Sequence, residues 1–450
     1  MSSETTSCLM LGPQDDGYAE AAASHNTAYA QRPTLVALPE NTAEVVEAVE
    51  HANRLGLPIA VQSTGHGARR TYDGAMLINT SQLRELDLDP AAGTVRVGAG
   101  MRWQDVLDAA APHGLGPLCG ASGEVGVVGY TLGGGVGWLT RQYGFCADHV
   151  RAVDLVSADG KALRASPEEN GDLFDALLGS GASLAVVTAL ELELFPVTSV
   201  FGGGVSFPLD RAREVSLAYR DWAATLPPEV STALTFMRMP PAPSIPEPLR
   251  GRGLVSVVAC VNSDRQRAEQ LLAPMRTLPE PLMDNFQQRP YQQVGEIMPA
   301  PPEPVPTVSL GEGIRALSDS TVDDLLASVE SGAASKAIVQ IRHLGGPRPP
   351  GSRMDFGYWD GDYVLFAFEV TPTPADVEAA LERLQAFAAE LRPHATGAVP
   401  VTFAGTVTPA SDVLRASLHP ARYDRLGAAK RSWDPENRLS FGYPVQTDAG

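Results

Sequence analysis

Apolar and polar residues follow a strand–helix–strand pattern near the start of the chain. Residues 34–38 form a short apolar run, and apolar residues then recur at helical spacing. Asn41 and Glu44 have the spacing of a capping box at the start of that helix, and Gly56 is placed to end it. A second apolar run, residues 59–62, completes a predicted βαβ unit.

The same patterns predict elements along the rest of the chain. Before Pro196, strands are predicted at 75–78, 86–89, 94–97, 150–157 and 186–195, and helices at 103–111 and 174–178. After it, strands are predicted at 202–207, 254–261, 337–344 and 363–370, and helices at 212–226 and 375–391. Proline-rich connectors at 240–243 and 299–306 indicate surface loops. This alternation of strands and helices after Pro196 predicts a second α+β domain. It is followed by a tail with a short helix and a turn at Asp434-Pro435.

Composition and charge narrow the function. A chain of 450 residues favours two or three domains, and 44% hydrophobic with 19% charged residues is typical of globular proteins. The formal net charge of −19 makes nucleic acid and anionic membrane surfaces poor partners. The four cysteines lack the spacing of a metal site, so no metal is predicted. The N-terminal sequence has no signal-peptide pattern, and a cytoplasmic location is expected.

Glycine is concentrated in one segment. Eleven glycines lie between Gly114 and Gly144, where about three would be expected from 43 in 450 residues. Glycines let a ligand approach the backbone closely, although a glycine cluster alone also fits a purely structural role. The first strand–helix turn lacks the Gly-x-Gly-x-x-Gly fingerprint, and no Walker A lysine is present. The segment therefore predicts neither a nicotinamide-binding Rossmann site nor a P-loop.

Five motifs occur in a fixed order along the chain. They are Pro-Glu-Asn-Thr-Ala-Glu-Val at 39–45, Ser-Thr-Gly-His-Gly at 63–67, Thr-Leu-Gly-Gly-Gly-Val-Gly-Trp-Leu at 131–139, Val-Asp-Leu-Val-Ser-Ala-Asp-Gly at 153–160 and Lys-Arg-Ser-Trp-Asp-Pro-Glu-Asn at 430–437. With these motifs the chain resembles the FAD-linked oxidases of the vanillyl-alcohol-oxidase (PCMH) type and, within them, the berberine-bridge-enzyme-like group. The resemblance runs from about residue 32 to 197 and returns at about 423 to 443.

The resemblance implies an α+β fold of two parts. A PCMH-type, non-Rossmann FAD-binding domain would surround an inserted α+β substrate domain that carries an antiparallel sheet. The implied boundaries are 1–31 for an N-terminal extension, 32–197 for the FAD-binding domain, 198–404 for the substrate-binding domain and 405–450 for the C-terminal return to the first domain.

His66 occupies the position of the histidine that bonds to the flavin 8α-methyl group in this family. From the residue alone, a loop histidine also fits a surface or capping role. The resemblance implies that the small residues around His66 wrap the pyrophosphate, that later glycines pass beneath the adenosine and ring system, and that Val187 lies near the adenine. The implied FAD-binding residues are His66, Ser63, Thr64, Gly65, Gly67, Ser122, Val125, Gly126, Gly129, Leu132, Gly133, Gly134, Gly137, Val187 and Asn437.

The segment before the third motif departs from the pattern of doubly linked members. Those members attach the flavin a second time through a cysteine, and Ser122 stands at that position. Cys119 lies three residues earlier and is interpreted as a packing residue. A single link through His66 is therefore expected. Val125 stands where members that react with oxygen often carry valine, which favours an oxidase with O2 as acceptor.

The substrate side also departs from the family pattern. Many members carry a tyrosine before the C-terminal helix that helps to deprotonate the substrate, but residues 403–407 here are Phe-Ala-Gly-Thr-Val. Candidate catalytic residues in the second domain are Arg342, His343, Tyr358 and Tyr363, with a structural role as the alternative for each. Strand alternation puts Arg342 and His343 on opposite faces, so at most one of them points at the flavin.

The predicted function is that of an FAD-dependent oxidase that transfers a hydride from a small organic substrate to covalently bound flavin. The apolar strands of the second domain favour a hydrophobic, polycyclic or polyketide-like secondary metabolite over a sugar. The alternatives are a sugar or alcohol oxidase, a redox-neutral cyclase that keeps FAD as a scaffold, and a flavin-binding protein without enzymatic activity.

Overall fold

The computed structural model describes residues 7–181, 184–243, 245–299, 303–349, 352 and 361–446. The strands are β1 Leu9–Leu11, β2 Leu35–Leu38, β3 Ile59–Gln62, β4 Met76–Asn79, β5 Leu86–Asp89, β6 Thr94–Gly98, β7 Val150–Ser157, β8 Ala162–Ala165, β9 Ala185–Glu193, β10 Ser199–Pro208, β11 Val230–Arg238, β12 Gly253–Val261, β13 Met283–Asp284, β14 Gln287–Pro290, β15 Thr307–Ile314, β16 Ile338–His343 and β17 Tyr363–Val370. The α-helices are α1 Tyr18–Ala22, α2 Thr42–Leu55, α3 Trp103–Ala110, α4 Val127–Leu132, α5 Thr140–Tyr143, α6 Gly171–Leu177, α7 Ala212–Ala223, α8 Arg265–Arg276, α9 Asp319–Glu330, α10 Pro374–Leu391, α11 Ala410–Ser417 and α12 Pro420–Trp433. Within these ranges, no helix has the length and apolar character needed to span a bilayer.

Two sheets build the first domain. One has the order β1-β2-β4-β3, with β2, β4 and β3 parallel, and the other is antiparallel with the order β5-β6-β9-β7-β8. The predicted ends of α2 are confirmed: the Asn41 side chain accepts a hydrogen bond from the Glu44 amide, and Gly56 ends the helix with φ 67°. The strands of the predicted βαβ unit are also present, but β4 lies between β2 and β3.

An antiparallel sheet forms the second domain. Its order is β13-β10-β12-β11-β16-β17-β15, and β14 pairs with β10 as well. Helices α7 to α10 pack on one face of this sheet and enclose an apolar core, while the other face meets the first domain. The predicted α+β class with an antiparallel sheet in the second domain is confirmed. Strands β11 and β15 had no counterpart in the sequence prediction.

Residues 398–407 connect the two domains. Val399, Val401 and Ala404 are buried against the core of the first domain. The Thr402 hydroxyl donates to the Gly133 carbonyl of the first domain (3.0 Å). A few residues later, the chain is bonded to β15 of the second domain through main-chain hydrogen bonds. This segment therefore lies between the domains and is held by both.

A buried ion pair at the end of the C-terminal helix α12 holds the turn through which the chain contacts β3. Lys430 Nζ lies 2.6 Å from Asp434 Oδ2, and both side chains are at most 2% exposed. The same carboxylate accepts the main-chain amides of Arg438 and Leu439. The Arg438 carbonyl in turn accepts the amide of Ile59, the first residue of β3. The segment after α12 is thus held against β3, the edge strand of the parallel part of the sheet.

Candidate functional site

The loop that follows β3 is shaped by contact with the N-terminal segment. Gly65 has φ 71°, and a Cβ there would lie 2.5 Å from Cβ of Ser24, so a larger residue does not fit. The His25 amide donates to the Thr64 carbonyl (3.0 Å), and the Asn26 amide donates to the Gly65 carbonyl (3.2 Å). The N-terminal segment therefore fixes the course of this loop and the position of the histidine that comes next in it.

His66 lies in a stack with a second histidine. The rings of His25 and His66 are within 20° of parallel, and their centroids are 3.6 Å apart. Burial, with a smaller contribution from His25, lowers the pKa of His66 to about 4. A hydrogen bond with the Glu124 backbone opposes this shift without reversing it. His66 is therefore a neutral imidazole at pH 7, with a lone pair on one ring nitrogen.

The loop packs against the start of α4 and leaves open space beside it. A Cβ on Gly126 would lie 3.5 Å from the Ser63 hydroxyl and from the Thr64 side chain. A Cβ on Gly67 or Gly129 would meet nothing within 4 Å. The Ser63 hydroxyl is buried and makes no hydrogen bond to any residue that the structure describes. Small residues and a free hydroxyl donor thus surround a space that a polar ligand can enter.

The glycines at the end of the third motif serve the packing of the protein itself. A Cβ on Gly137 would overlap the Cys119 carbonyl, and one on Gly133 would lie 3.2 Å from the Thr402 amide. That amide donates to the Gly133 carbonyl (3.1 Å). Gly134 has φ 104°, a conformation that favours glycine. These positions therefore need glycine for reasons other than a ligand.

Three other predicted cofactor residues lie away from the histidine loop or inside the core. Leu132 and Val187 are 0% and 4% exposed and belong to the core of the first domain. Asn437 is exposed on the turn after α12, one residue from the Arg438 carbonyl that bonds to Ile59. Because Ile59 begins β3 and the histidine loop follows its end, Asn437 lies toward the opposite end of that strand from the loop.

The residues before α4 have the properties of a segment without a second covalent link. Cys119 is 2% exposed, its Sγ lies 3.6 Å from Tyr291 Oη, and burial raises the pKa of its thiol to about 11. Such a thiol is unreactive at neutral pH, as expected for a packing residue. Ser122 is half-buried and its hydroxyl accepts the Glu124 amide (3.3 Å). Val125 is half-buried beside them and packs against the core.

Strands β16 and β17 place the predicted catalytic residues on two different faces. Arg342 pairs with Val364, which belongs to the core of the first domain. His343 pairs with Tyr363, which belongs to the core of the second domain, and the two rings lie 5.2 Å apart. This geometry turns His343 and Tyr363 toward the helix-covered face of the sheet, opposite to the face that carries Arg342. Tyr358 lies outside the described residues.

Aromatic side chains surround Arg342 on the face that meets the first domain. The guanidinium carbon lies 5.2 Å from the ring centroid of Trp138 and 5.3 Å from that of Phe403. Phe366, on the neighbouring strand, lies 5.5 Å from Phe403 and is half-buried. Burial lowers the pKa of Arg342 to about 10, so the side chain is still a cation at neutral pH. A cation cannot accept a proton, so Arg342 is unsuited to be the base.

The structure adds residues to the site that the sequence analysis did not identify. His25 lies in a segment without periodic pattern, and its contact with His66 joins distant parts of the chain. Tyr130, on α4, has a buried hydroxyl without a partner among the described residues. Thr402 lies in a segment that the sequence prediction assigned to the substrate-binding domain. Among the described residues, no group of His, Cys, Asp and Glu side chains could hold a metal ion.

Comparison with known proteins also indicates an FAD-binding protein. A family model described as an FAD binding domain matches residues 33–166. The (R)-6-hydroxynicotine oxidase of Paenarthrobacter nicotinovorans is 26% identical over 98% of this chain and 96% of its own.

Two solved structures share the fold over almost the whole chain. The 6-hydroxy-D-nicotine oxidase from Arthrobacter nicotinovorans has a TM-score of 0.87 at 23% identity, covering 99% of both chains. A glucooligosaccharide oxidase from Acremonium strictum, described with a 6-S-cysteinyl, 8α-N1-histidyl FAD, has a TM-score of 0.83 at 18% identity, covering 98% of both chains. The predicted fold and cofactor class are thereby confirmed. The chain thus contains an FAD binding domain, it is similar in sequence and fold to oxidases of the vanillyl-alcohol-oxidase/PCMH type and to a berberine-bridge-enzyme-like protein, and it is an FAD-linked oxidoreductase.

Proposed function

We propose that this protein is an FAD-dependent oxidase that carries its flavin covalently on His66. The observation on which the proposal rests is the half-buried, neutral imidazole of His66, stacked on His25 in a loop of small residues. A nitrogen must offer a lone pair to form a bond to carbon, and the neutral ring does so at pH 7. The histidyl flavin described for the Acremonium strictum oxidase, which has the same fold, supports the same link here.

The residues beside His66 are suited to FAD. The buried Ser63 hydroxyl can donate to a phosphate oxygen, since it has no other partner in the described part of the chain. Space next to Gly67 and Gly129 lets a ligand approach the main chain closely. We assign the pyrophosphate to Ser63, Thr64, Gly65 and Gly67. The first turn of α4 would then support the flavin.

The substrate would lie between the domains, on the aromatic face of β16 and β17. Phe366, Phe368 and Phe403 are half-buried there, with ring centroids 5.9 and 5.5 Å apart for the pairs that Phe366 forms. Aromatic side chains recognise flat, apolar molecules by stacking and edge contacts. A small aromatic compound, including a polyketide-like secondary metabolite, fits this surface better than a sugar. The Paenarthrobacter relative is named for a nicotine derivative, which belongs to the same broad class.

FAD, when bound, supplies the redox chemistry, in which it takes up a hydride from a substrate C–H and passes the electrons to O2. The chain's own residues position the reactants and exclude water. Stacking by His25 fixes the orientation of the His66 ring. The 398–407 segment, bonded to Gly133 on one side and to β15 on the other, holds the second domain against the first.

The covalent link is tested by in-gel flavin fluorescence after acid denaturation. Wild-type protein is compared with His66→Ala and with His113→Ala, a control at an exposed histidine. We expect a fluorescent band for the wild type and the control, and none for His66→Ala. A dark wild-type band with yellow supernatant would show that FAD is bound without a link, and a colourless protein would contradict the flavoprotein itself.

The electron acceptor can be tested without knowing the substrate. The protein is reduced with dithionite under argon and mixed with air-saturated buffer in a stopped-flow instrument. An oxidase should reoxidise within seconds and yield one H2O2 per flavin. Reoxidation over many minutes would instead indicate a dehydrogenase with another acceptor.

A further inference from the structure

Three buried polar side chains meet where the two domains touch. Tyr130, Trp138 and Arg342 are 7%, 2% and 7% exposed. Tyr130 Oη, Trp138 Nε1 and Arg342 Nε each make no hydrogen bond to a described residue. The large majority of buried polar side-chain atoms in proteins have a partner. Two such groups beside a guanidinium whose own Nε has no partner among the described residues therefore call for an explanation.

The three groups are close enough to act together. Arg342 lies with its guanidinium carbon 5.2 Å from the Trp138 ring. A Cβ on Gly137, the residue before Trp138, would lie 3.1 Å from Tyr130 Oη. Tyr130 and Arg342 are also near enough to perturb each other's pKa, in the direction expected for an anion beside a cation.

All three groups are hydrogen-bond donors at neutral pH. Trp138 has only an N–H to offer, and Arg342 keeps its charge because burial lowers its pKa only to about 10. Burial raises the pKa of Tyr130 well above its usual value, so its hydroxyl keeps its proton. A cluster of donors around a buried positive charge is complementary to a negatively charged acceptor.

A comparison with Arg141 shows that the chain can satisfy a buried guanidinium when no ligand is needed. Arg141 is also 7% exposed, and its nitrogens donate to the carbonyls of Leu226, Pro227, Val230 and Gly345. Arg342 instead makes one long contact, 3.4 Å, to the Gln340 amide oxygen. In the described part of the chain no carboxylate forms an ion pair with it.

We propose that Tyr130, Trp138 and Arg342 bind an anionic oxygen of the substrate, such as a carboxylate or a phenolate, next to the aromatic face of β16 and β17. This inference rests on the proposed function, because it names the substrate class of that same pocket. Phe403, whose ring centroid lies 5.3 Å from the guanidinium carbon, would cover the apolar body of the molecule. The substrate is therefore an aromatic acid or an acidic phenol. The other anion that the same three donors could bind is the negatively charged ring of reduced flavin.

Benzoate is the probe for this site, with benzyl alcohol as its neutral analogue. Binding to the flavin-loaded protein is measured by calorimetry for wild type, Arg342→Gln, Arg342→Lys and Tyr130→Phe. Arg252→Gln is the matched control, because Arg252 is an exposed arginine of the same domain. We expect Arg342→Gln to weaken benzoate at least tenfold and Arg342→Lys to weaken it less. Tyr130→Phe should weaken it about threefold, from loss of one hydrogen bond. Benzyl alcohol should bind equally to all five proteins.

Sulfite distinguishes the two sources of negative charge, because its addition to oxidised flavin places that charge on the ring. If Arg342→Gln weakens sulfite addition tenfold and leaves benzoate unchanged, the donors bind the flavin and the anion site stands. If Arg342→Gln differs from Arg252→Gln by less than twofold in both readouts, the proposal is wrong. If Arg342→Gln does not fold, benzoate binding and sulfite addition are measured for Arg342→Lys and Tyr130→Phe, and the same criteria are applied to them. The benzoate titration uses flavin-loaded protein whether the flavin is covalently linked or only bound. Failure of the His66 link is therefore seen separately, on the gel.

Discussion

At the scale of single residues, the site depends on groups whose surroundings change their ordinary chemistry. Partial burial against a second histidine keeps His66 neutral at pH 7, whereas Arg342 stays charged although it is the more deeply buried of the two. The sequence identified both residues, His66 through its motif and Arg342 through its strand position. It could not show that His25 stacks on His66, because that contact depends on how the N-terminal segment folds back over the loop.

Replacing His25 should slow flavin attachment. Without the stacked ring, His66 can turn away from the orientation in which its nitrogen faces the flavin, and aromatic stacking contributes about 1 kcal/mol. We expect His25→Ala to attach FAD roughly fivefold more slowly, since about 1.4 kcal/mol in a barrier is a factor of ten and about 1 kcal/mol is a factor of about five. The rate is followed by in-gel fluorescence after FAD is added to apoprotein. His25→Phe keeps a stacked ring and should react at nearly the wild-type rate; equal rates for all three proteins would contradict the role of stacking.

His343 should make the protein less stable in mild acid. Burial and the charge of Arg141 lower its pKa from 6.5 to about 3. The unfolded chain therefore binds a proton between these values that the folded chain does not, so stability falls as the pH drops below 6.5 and levels off near 3. At pH 4.5, two pH units below 6.5, this residue lowers the free energy of unfolding by about 2–3 kcal/mol, at about 1.4 kcal/mol per pH unit.

Replacing His343 by phenylalanine tests this assignment. Denaturant unfolding of wild type and His343→Phe is compared at pH 7 and pH 4.5. The difference in free energy of unfolding between the two pH values should be smaller in the variant by that amount. An unchanged pH dependence would mean that another group is responsible for the loss.

At the scale of elements, local signals predicted the capped helix α2 well and sheet order poorly, and helices α8 and α9 had no counterpart in the sequence prediction. The ends of α2 followed from Asn41 and Gly56, because caps are set by neighbouring residues. Strand β15 was missed because Gly311 and Gly313 interrupt its alternation. The structure gives the reason: a Cβ at either position would overlap a carbonyl of the 398–407 segment that crosses this strand. No local pattern shows that a distant segment passes there.

The glycines of α4 and its surroundings should separate into two classes by substitution. Gly129 has open space around it, so Gly129→Ala should stabilise the apoprotein by about 0.5 kcal/mol through helix propensity. The added methyl group would occupy space that we assign to FAD, and we expect affinity to fall about tenfold, or about 1.4 kcal/mol. Affinity is measured in the His66→Ala background, where binding is reversible. Gly171→Ala in α6 is the control and should leave FAD affinity unchanged; equal affinities for both variants would remove Gly129 from the cofactor site.

At the scale of the whole molecule, the candidate site exists only where the two domains meet. His66 and Tyr130 come from the first domain, Arg342 from the second, and Phe403 from the segment between them. The sequence predicted two domains and a return of the chain, and it placed the boundary at residue 405. Val399 and Val401 pack against the first core, while Thr406 and Val407 bond to β15, so this stretch contacts both domains. Apolar residues alone do not reveal this because either core would accept them.

Arg141 should control whether the two domains unfold together. It extends from α5 of the first domain, and its guanidinium donates to four carbonyls of the second domain, those of Leu226, Pro227, Val230 and Gly345. Truncating a buried group of this kind leaves its acceptors without partners and costs about 3–5 kcal/mol.

Because these bonds join the domains, their loss weakens the coupling between the domains more than either core. We therefore expect Arg141→Met to split one calorimetric transition into two, with the second domain melting first. Arg151→Met is the control, since Arg151 is a half-exposed arginine of the same domain that pairs with Glu193 on the surface, and its loss should leave a single transition. If Arg141→Met lowers the melting temperature but keeps one transition, the domains are coupled mainly by the 398–407 segment, and the site is held together by the chain's return.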